Sequence, residues 1–212
     1  MALNAQWAEA WLRECARVLA EHRTELIELD RAIGDADHGE NMHRGFSAVL
    51  TKLDDGGQET PAAALKLAAM TLMSTVGGAA GPLYGTAFLR AATALGDERE
   101  VGASGVVGFL TAARDGVVAR GKAEPGDKTM VDAWTPAVEA AGTAEAAGAT
   151  AAEALKAAAN AAQAGAAGTE PLIARKGRAS YLGERSAGHR DPGAVSTALI
   201  LQAAADIAER EQ

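Results

Sequence analysis

Three short segments of the chain gather residue types that plain connectors do not need. The first is Asp30-Arg31-Ala32-Ile33-Gly34-Asp35-Ala36-Asp37-His38-Gly39-Glu40-Asn41. It places three aspartates within eight residues, where one helix should end and the next begin. Carboxylates packed that closely repel one another unless a cation neutralises them, and hard oxygen ligands suit Mg²⁺ or Ca²⁺. The same aspartates could instead cap helix ends and fill a turn, and His38 alone reads equally as a loop hydrogen-bonder. The spacing is not that of an EF-hand loop, which needs ligands at alternate positions and a closing Glu at the twelfth.

The second segment is Gly77-Gly78-Ala79-Ala80-Gly81-Pro82-Leu83-Tyr84-Gly85. Small residues ahead of a helix let backbone N–H groups approach phosphate oxygens, and the helix N-terminus adds a favourable field. It is no Walker loop, because the Gly-Lys-Ser/Thr ending is missing, and a tight turn between helices would use the same residues. The third runs from Arg175 to Arg185 and on through His189-Arg190-Asp191-Pro192-Gly193. Its four basic residues between 175 and 185 could clamp a transferring phosphoryl group, although a solvated charge run has the same composition. In order along the chain, these are carboxylates, a small-residue turn and a basic loop, the parts a Mg-nucleotide site requires. Two Mg²⁺ held by three carboxylates would offset most of the charge of a bound nucleotide.

The elements that must position these segments read as helices. Trp7, Trp11, Cys15, Val18, Leu19, His22, Leu26 and Leu29 recur at steps of three and four, which predicts one long helix from Asn4 to Asp30. A second helix is expected over 40–53, closed by Asp54-Asp55-Gly56-Gly57. Thr60-Pro61 supplies an N-cap and first-turn proline for a third, ending near Val76. Further helices are expected over 83–95, 101–120 and 128–141. The alanine-rich stretch 142–167 reads as a helix rather than a linker, and the last helix follows Asp191-Pro192-Gly193 to about Glu209. That makes eight helical segments in one all-α domain spanning residues 1–212, with no internal repeat and no composition shift.

Composition agrees. Of 212 residues, 48% are hydrophobic but only 4% aromatic, and about a quarter are alanine, a core recipe for helices rather than sheets. A net charge of −8 argues against a nucleic-acid or anionic-membrane surface. The lone Cys15 permits no internal disulfide, no secretory signal is evident at the N-terminus, and no apolar run approaches a membrane span. A soluble cytoplasmic protein is the expectation.

With these residues in view, a resemblance emerges. Gly34-Asp35-Ala36-Asp37-His38-Gly39-Glu40-Asn41-Met42 resembles the Gly-Asp-Gly-Asp-His-Gly-x-Asn-Met signature of the dihydroxyacetone kinase L subunit, the ADP-binding subunit. Four further blocks agree in order: Gly77 to Gly85, Gly126-Asp127-Lys128-Thr129-Met130-Val131-Asp132, Arg178 to Arg185, and Asp191-Pro192-Gly193-Ala194. The resemblance implies an eight-helix antiparallel barrel with ADP or ATP and two Mg²⁺ at one end. It implies Asp30, Asp35 and Asp37 as metal ligands. It implies nucleotide contacts from His38, Gly39, Glu40, Asn41, Ala79, Ala80, Gly121, Met130, Arg178, Asp191, Pro192 and Gly193. Arg178 becomes the candidate for stabilising the transferred group. Two departures stand out: Ala36 replaces a glycine, removing easy access to positive φ unless the position is α- or β-like, and Ala80 stands where the family often has serine.

The implied function is a phosphotransferase subunit that holds Mg-ADP as a resident coenzyme. A phosphoenolpyruvate-dependent phosphocarrier, the M subunit, would rephosphorylate the ADP. The phosphoryl group would then pass to dihydroxyacetone held on a separate K subunit, so this chain should lack a substrate-activating base. An ATP-dependent kinase subunit acting on dihydroxyacetone or another short ketose or tetrulose is an alternative in the same class. A non-enzymatic nucleotide-binding signalling module and a metal-dependent phosphohydrolase are alternatives outside it. A homodimer is a further assembly open to the chain.

Overall fold

The computed structural model describes residues 3–210. Over that span the chain forms α1 (Ala5–Glu21), α2 (Arg23–Ile33), α3 (His38–Leu53), α4 (Pro61–Thr75), α5 (Ala80–Leu95), α6 (Ala103–Gly121), α7 (Val131–Ala146), α8 (Ala151–Gly168) and α9 (Pro192–Arg210). A 3₁₀ helix, Arg178–Ser186, lies between α8 and α9. The one β feature among the described residues is an isolated bridge between Leu3 and Val101.

Eight helices close a ring. α1 packs on α3, each helix from α3 to α8 packs on its successor, and α9 returns to α1. The N-termini of α3, α5, α7 and α9 share one end of the barrel, where His38, Ala80, Met130 and Pro192 border a common cavity. α2 stands outside the ring and packs on α3, α9 and the 3₁₀ helix. The all-α architecture agrees with the sequence reading, and the ring supplies its eight long helices.

Helix starts shift by two or three residues at α3, α5, α6, α7 and α9, with α5 beginning at Ala80 rather than 83, and two stretches differ more. The single helix over 4–30 is two, broken at His22, whose ψ of 7° leaves the helical region. Hydrophobic spacing continues through the break, so periodicity does not reveal it. One local and one tertiary contact accompany the new direction: His22 Nδ1 lies 2.7 Å from Glu25 Oε2, and Arg190 donates to Glu25 Oε1 at 2.9 Å. The alanine-rich stretch is likewise divided. α7 continues to Ala146, Gly148 turns at a φ of +85°, and α8 restarts on a capping box in which Thr150 and Glu153 satisfy each other's backbone N–H.

The barrel interior is filled from α1 outward. Trp7 and Trp11 stack at 5.2 Å and are flanked by Phe88 and Phe109. Both indole N–H groups donate to α9, Trp7 to the Ala204 carbonyl and Trp11 to the Ile200 carbonyl, so their burial leaves no orphaned donor. Elsewhere alanine and glycine let backbones approach closely. A Cβ on Gly165 of α8 would lie 2.2 Å from the Asp132 carbonyl of α7, so this crossing tolerates no larger residue.

Candidate functional site

The carboxylate segment links α2 to α3 in a tight, internally bonded loop. Asp30 closes the last turn of α2 and is buried. Its Oδ2 accepts the backbone N–H groups of Asp37, at 2.8 Å, and His38, at 3.0 Å. The Gly34 N–H bonds to the Asp30 carbonyl, and a Cβ on Gly34 would sit 2.1 Å from Asp30 Oδ1. One carboxylate oxygen from each of Asp30, Asp35 and Asp37 lies within 4.8 Å of the others. Through its two backbone bonds Asp30 caps the start of α3, whereas Asp37, at the N-cap position, makes no capping bond with its side chain. The donor set is all oxygen and trianionic when ionised, which fits a hard divalent cation.

Facing the carboxylates are helix N-termini. α5 begins without a side-chain cap, so its first N–H groups are available to an anion and carry the positive end of the helix dipole, whereas the first N–H of α3, that of His38, is taken by Asp30. α9 begins at Pro192, with Asp191 Oδ2 accepting from Ala194 N–H at 2.7 Å. Together these ends line a cavity of about 190 Å³ that includes Asp30, Asp35, Asp37, His38, Asn41, Ala79, Ala80, Met130, Arg178, Asp191, Pro192 and Gly193. A second cavity of about 340 Å³ adjoins it, sharing Ala79, Leu83, Thr129, Met130, Lys176 and Gly177 and extending to Pro82, Val117 and Gly121. Apolar surface makes up most of both linings, and only the first carries carboxylates.

The basic segment forms the cavity's far wall. Ile33, Ala174 and Ala179, with Leu182 against them, make a small apolar cluster separate from the barrel core, which seats the 3₁₀ helix on α2. Arg178 stays largely exposed and pairs with Asp35 Oδ2 at 3.0 Å. A pair this exposed is worth under about 1 kcal/mol, so it orients Arg178 without locking it. Tyr181, on the same helix, is 88% exposed.

Two buried groups that the sequence reading did not single out hold the site together. Lys128 is 1% exposed and sits at a φ of +63°. Its Nζ donates to the carbonyls of Thr169 at 2.7 Å, Leu172 at 3.1 Å and Glu170 at 3.2 Å, and also to that of His189. One ammonium thus ties the loop before α7 to the end of α8 and the entry to α9. The second group is Tyr84, whose hydroxyl contacts Ser196, Thr197 and Gly193. A lysine and a tyrosine are ordinary residues in one dimension, and only the folded chain brings their partners within reach.

Burial also sets charge states. Desolvation pushes His38 down to about 4, against the raising effect of Asp30, so the ring is neutral at physiological pH. Asp191 is pushed up to about 7, again by burial first, with Asp132 and Asp30 adding repulsion and the Ala194 N–H opposing. Lys128 is lowered by desolvation, with Asp191 and Glu170 acting the other way.

Of the residues singled out, Gly121 borders only the second cavity, and Gly39 and Glu40 border neither. A Cβ on Gly39 would lie 2.3 Å from the Arg23 carbonyl, so that glycine lets α3 cross α2 closely. Glu40 turns outward to pair with Arg23 at 2.5 Å. Residues 32–206 match the DAK2 domain. The chain belongs to that family. It is 45% identical over 202 residues to the ADP-binding subunit DhaL of the PEP-dependent dihydroxyacetone kinase of Escherichia coli K12, covering 95% of this chain and 96% of that protein. It is 40% identical over 195 residues to the PTS-dependent counterpart of Lactococcus lactis, covering 91% and 92%. Among solved structures, the dihydroxyacetone kinase of C. freundii in complex with AMP-PNP and Mg²⁺ superposes with a TM-score of 0.70 at 25% identity. That match covers 97% of this chain but 34% of the other, so the DAK2-family chain spans about a third of that kinase. Membership places the chain among phosphotransferases.

One departure from the family motif has a structural consequence. Ala36 lies at a φ of +65°, in the left-handed region rather than an α- or β-like one. The alanine takes the glycine conformation because bonds on both sides, Gly34 to Asp30 and Asp37 and His38 to Asp30 Oδ2, over-determine the loop.

Proposed function

We propose that this chain is the ADP-binding subunit of a phosphoenolpyruvate-dependent dihydroxyacetone kinase, carrying Mg-ADP as a resident coenzyme. A phosphocarrier subunit recharges the nucleotide, and the phosphoryl group passes to dihydroxyacetone on a separate K subunit. The observation that carries this reading is the convergence of three carboxylates and the uncapped N-terminus of α5 on one cavity, with an apolar cavity opening beside it. Asp30, Asp35 and Asp37 would hold two Mg²⁺, which would supply charge neutralisation for the phosphates. N–H groups at the start of α5 would donate to the phosphates, and the base would lie in the second cavity against Met130 and Gly121. Arg178 leaves Asp35 for the transferring phosphoryl group, where a planar guanidinium matches the charge spread over its oxygens.

Purified protein, desalted in Mg²⁺ and then denatured, tests this directly. Near-stoichiometric ADP in the released fraction is expected. An empty protein that binds added ATP reversibly would instead indicate an exchanging ATP-dependent subunit, a reading favoured by the likeness to the kinase solved with AMP-PNP. Binding of neither nucleotide would overturn both.

A further inference from the structure

The basic segment that carries Arg178 leaves the barrel and returns to it beside Lys128. On the way out, the Arg175 N–H donates to the carbonyl of Asp127, the residue before Lys128, at 3.0 Å. On the way back, the Gly188 N–H donates to the Glu170 carbonyl at 2.8 Å. Two buried side chains join the outgoing and returning segments. Lys128 Nζ donates to the carbonyls of Thr169, Glu170 and Leu172 ahead of the loop and to that of His189 after it. Ser186 Oγ, fully buried, accepts the Ala174 N–H at 2.8 Å and donates to the Gly183 carbonyl at 2.6 Å.

An ammonium is donor-only, and all four of these Lys128 partners are backbone carbonyls. Burying a charge is costly and is offset only by close, well-directed partners. Here those partners belong to the two ends of one loop, so the cation holds together carbonyls that would otherwise repel. Ser186 does the same at shorter range, tying residue 174 to residue 183 through one hydroxyl. Between its ends the loop rests on α2 through the apolar cluster of Ile33, Ala174, Ala179 and Leu182, and through the pair of Arg178 with Asp35. That pair is too exposed to place Arg178 by itself. The reach of the guanidinium is therefore set from the ends of the loop.

We propose that Lys128 and Ser186 are positioning residues for Arg178: together they clamp the two ends of the 175–188 loop, so that the guanidinium is delivered to the carboxylate end of the cavity. The proposal rests on the reading of Arg178 given above, and neither residue itself meets the transferring group. Ser186 borders neither cavity, so its loss bears on Arg178 rather than on the seating of the nucleotide.

The test joins a double-mutant cycle to hydrogen exchange. Transfer to dihydroxyacetone is measured with the K and M subunits present, and ADP affinity by calorimetry, for Ser186→Ala, Lys128→Met, Arg178→Ala and the two doubles with Arg178→Ala. Each clamp variant should lower transfer about tenfold or more, within the range that a misplacement of about 1 Å can cost. Ser186→Ala should keep its ADP affinity. In the Arg178→Ala background the same changes should cost less than about twofold, because residues that act as a unit are not additive. Backbone amide exchange, read by mass spectrometry on the protein without partners, should quicken over 174–188 in Ser186→Ala and stay unchanged in the barrel helices. A purely structural role predicts the same loss in both backgrounds. Equal losses in both backgrounds, normal transfer in Ser186→Ala, or unchanged exchange over the loop overturns the proposal. Ser186→Ala carries both measurements should Lys128→Met not fold. Normal transfer in Arg178→Ala alone overturns the reading of Arg178 and the proposal with it, whereas equal losses in the cycle overturn the proposal alone.

Discussion

Replacing Ala36 by glycine should stabilise this protein, although it deletes a methyl group and loosens the unfolded chain. At a φ of +65° the alanine Cβ crowds the following carbonyl, at a cost of roughly 1–2 kcal/mol. Glycine removes that strain but raises unfolded-state entropy by about 0.4–1 kcal/mol. The difference leaves a net gain of about 0.5–1 kcal/mol, or roughly 1–4 °C in melting temperature for a domain of this size. Ala36→Val supplies the opposite arm, because a β-branched residue fits the left-handed region worse than alanine and should cost at least about 1 kcal/mol. Urea unfolding of nucleotide-stripped protein in EDTA, followed by circular dichroism, isolates the loop from ligand effects. The hydrogen bonds to Asp30 that hold the loop are backbone donors and survive both changes. A glycine variant no more stable than the wild type, with a valine variant equally unaffected, would show that the loop does not impose positive φ in solution.

Other changes separate binding from folding. Asp35→Ala and Asp37→Ala should each abolish Mg-nucleotide binding at unchanged helicity, read by calorimetry and circular dichroism; wild-type affinity in either variant removes it from the metal site. Arg178→Ala gives up only an exposed ion pair, so stability should change by under about 1 kcal/mol. Nucleotide should be retained while transfer to K-bound dihydroxyacetone falls at least about a hundredfold; normal turnover would exclude Arg178 from the chemistry. Asp191 provides a pH test. Its folded-state pKa, raised to about 7 from 3.8, contributes stability that is present in full below 3.8 and lost as pH rises through 7. Asp191→Asn can still cap α9 and should therefore gain on the wild type between pH 5 and pH 8 in ligand-free melts, whereas a constant difference contradicts the assignment.

How much of this was readable in one dimension depends on the range of the interaction concerned. Thr60-Pro61 acts within a turn, and α4 starts where the sequence places it, while α9 starts two residues before the expected point, at Pro192. Thr150 and Glu153 are just as local, and the capping signature was there to be read ahead of α8. Alanine on both sides of Gly148 masked it, because helix propensity runs unbroken through the turn. The break at His22 is different in kind. Nothing between residues 19 and 25 disfavours a helix, and the tertiary contact at the bend comes from Arg190, 165 residues from Glu25. The same division runs through the site. The carboxylates of Asp30, Asp35 and Asp37 converge because the four-residue link 34–37 folds back onto the Asp30 side chain, so their grouping is visible in their spacing. Lys128 and Tyr84 take partners 41 to 113 residues away, and a lysine among charged neighbours gives no sign that it will be buried. Gly39 and Glu40 show the converse error. Adjacency to His38 suggests a shared task, but helical geometry turns consecutive side chains about 100° apart. His38 then faces the cavity while Glu40 faces Arg23. Chemistry concentrated in a loop is therefore legible from its residues, and chemistry distributed over a helix has to be read by face.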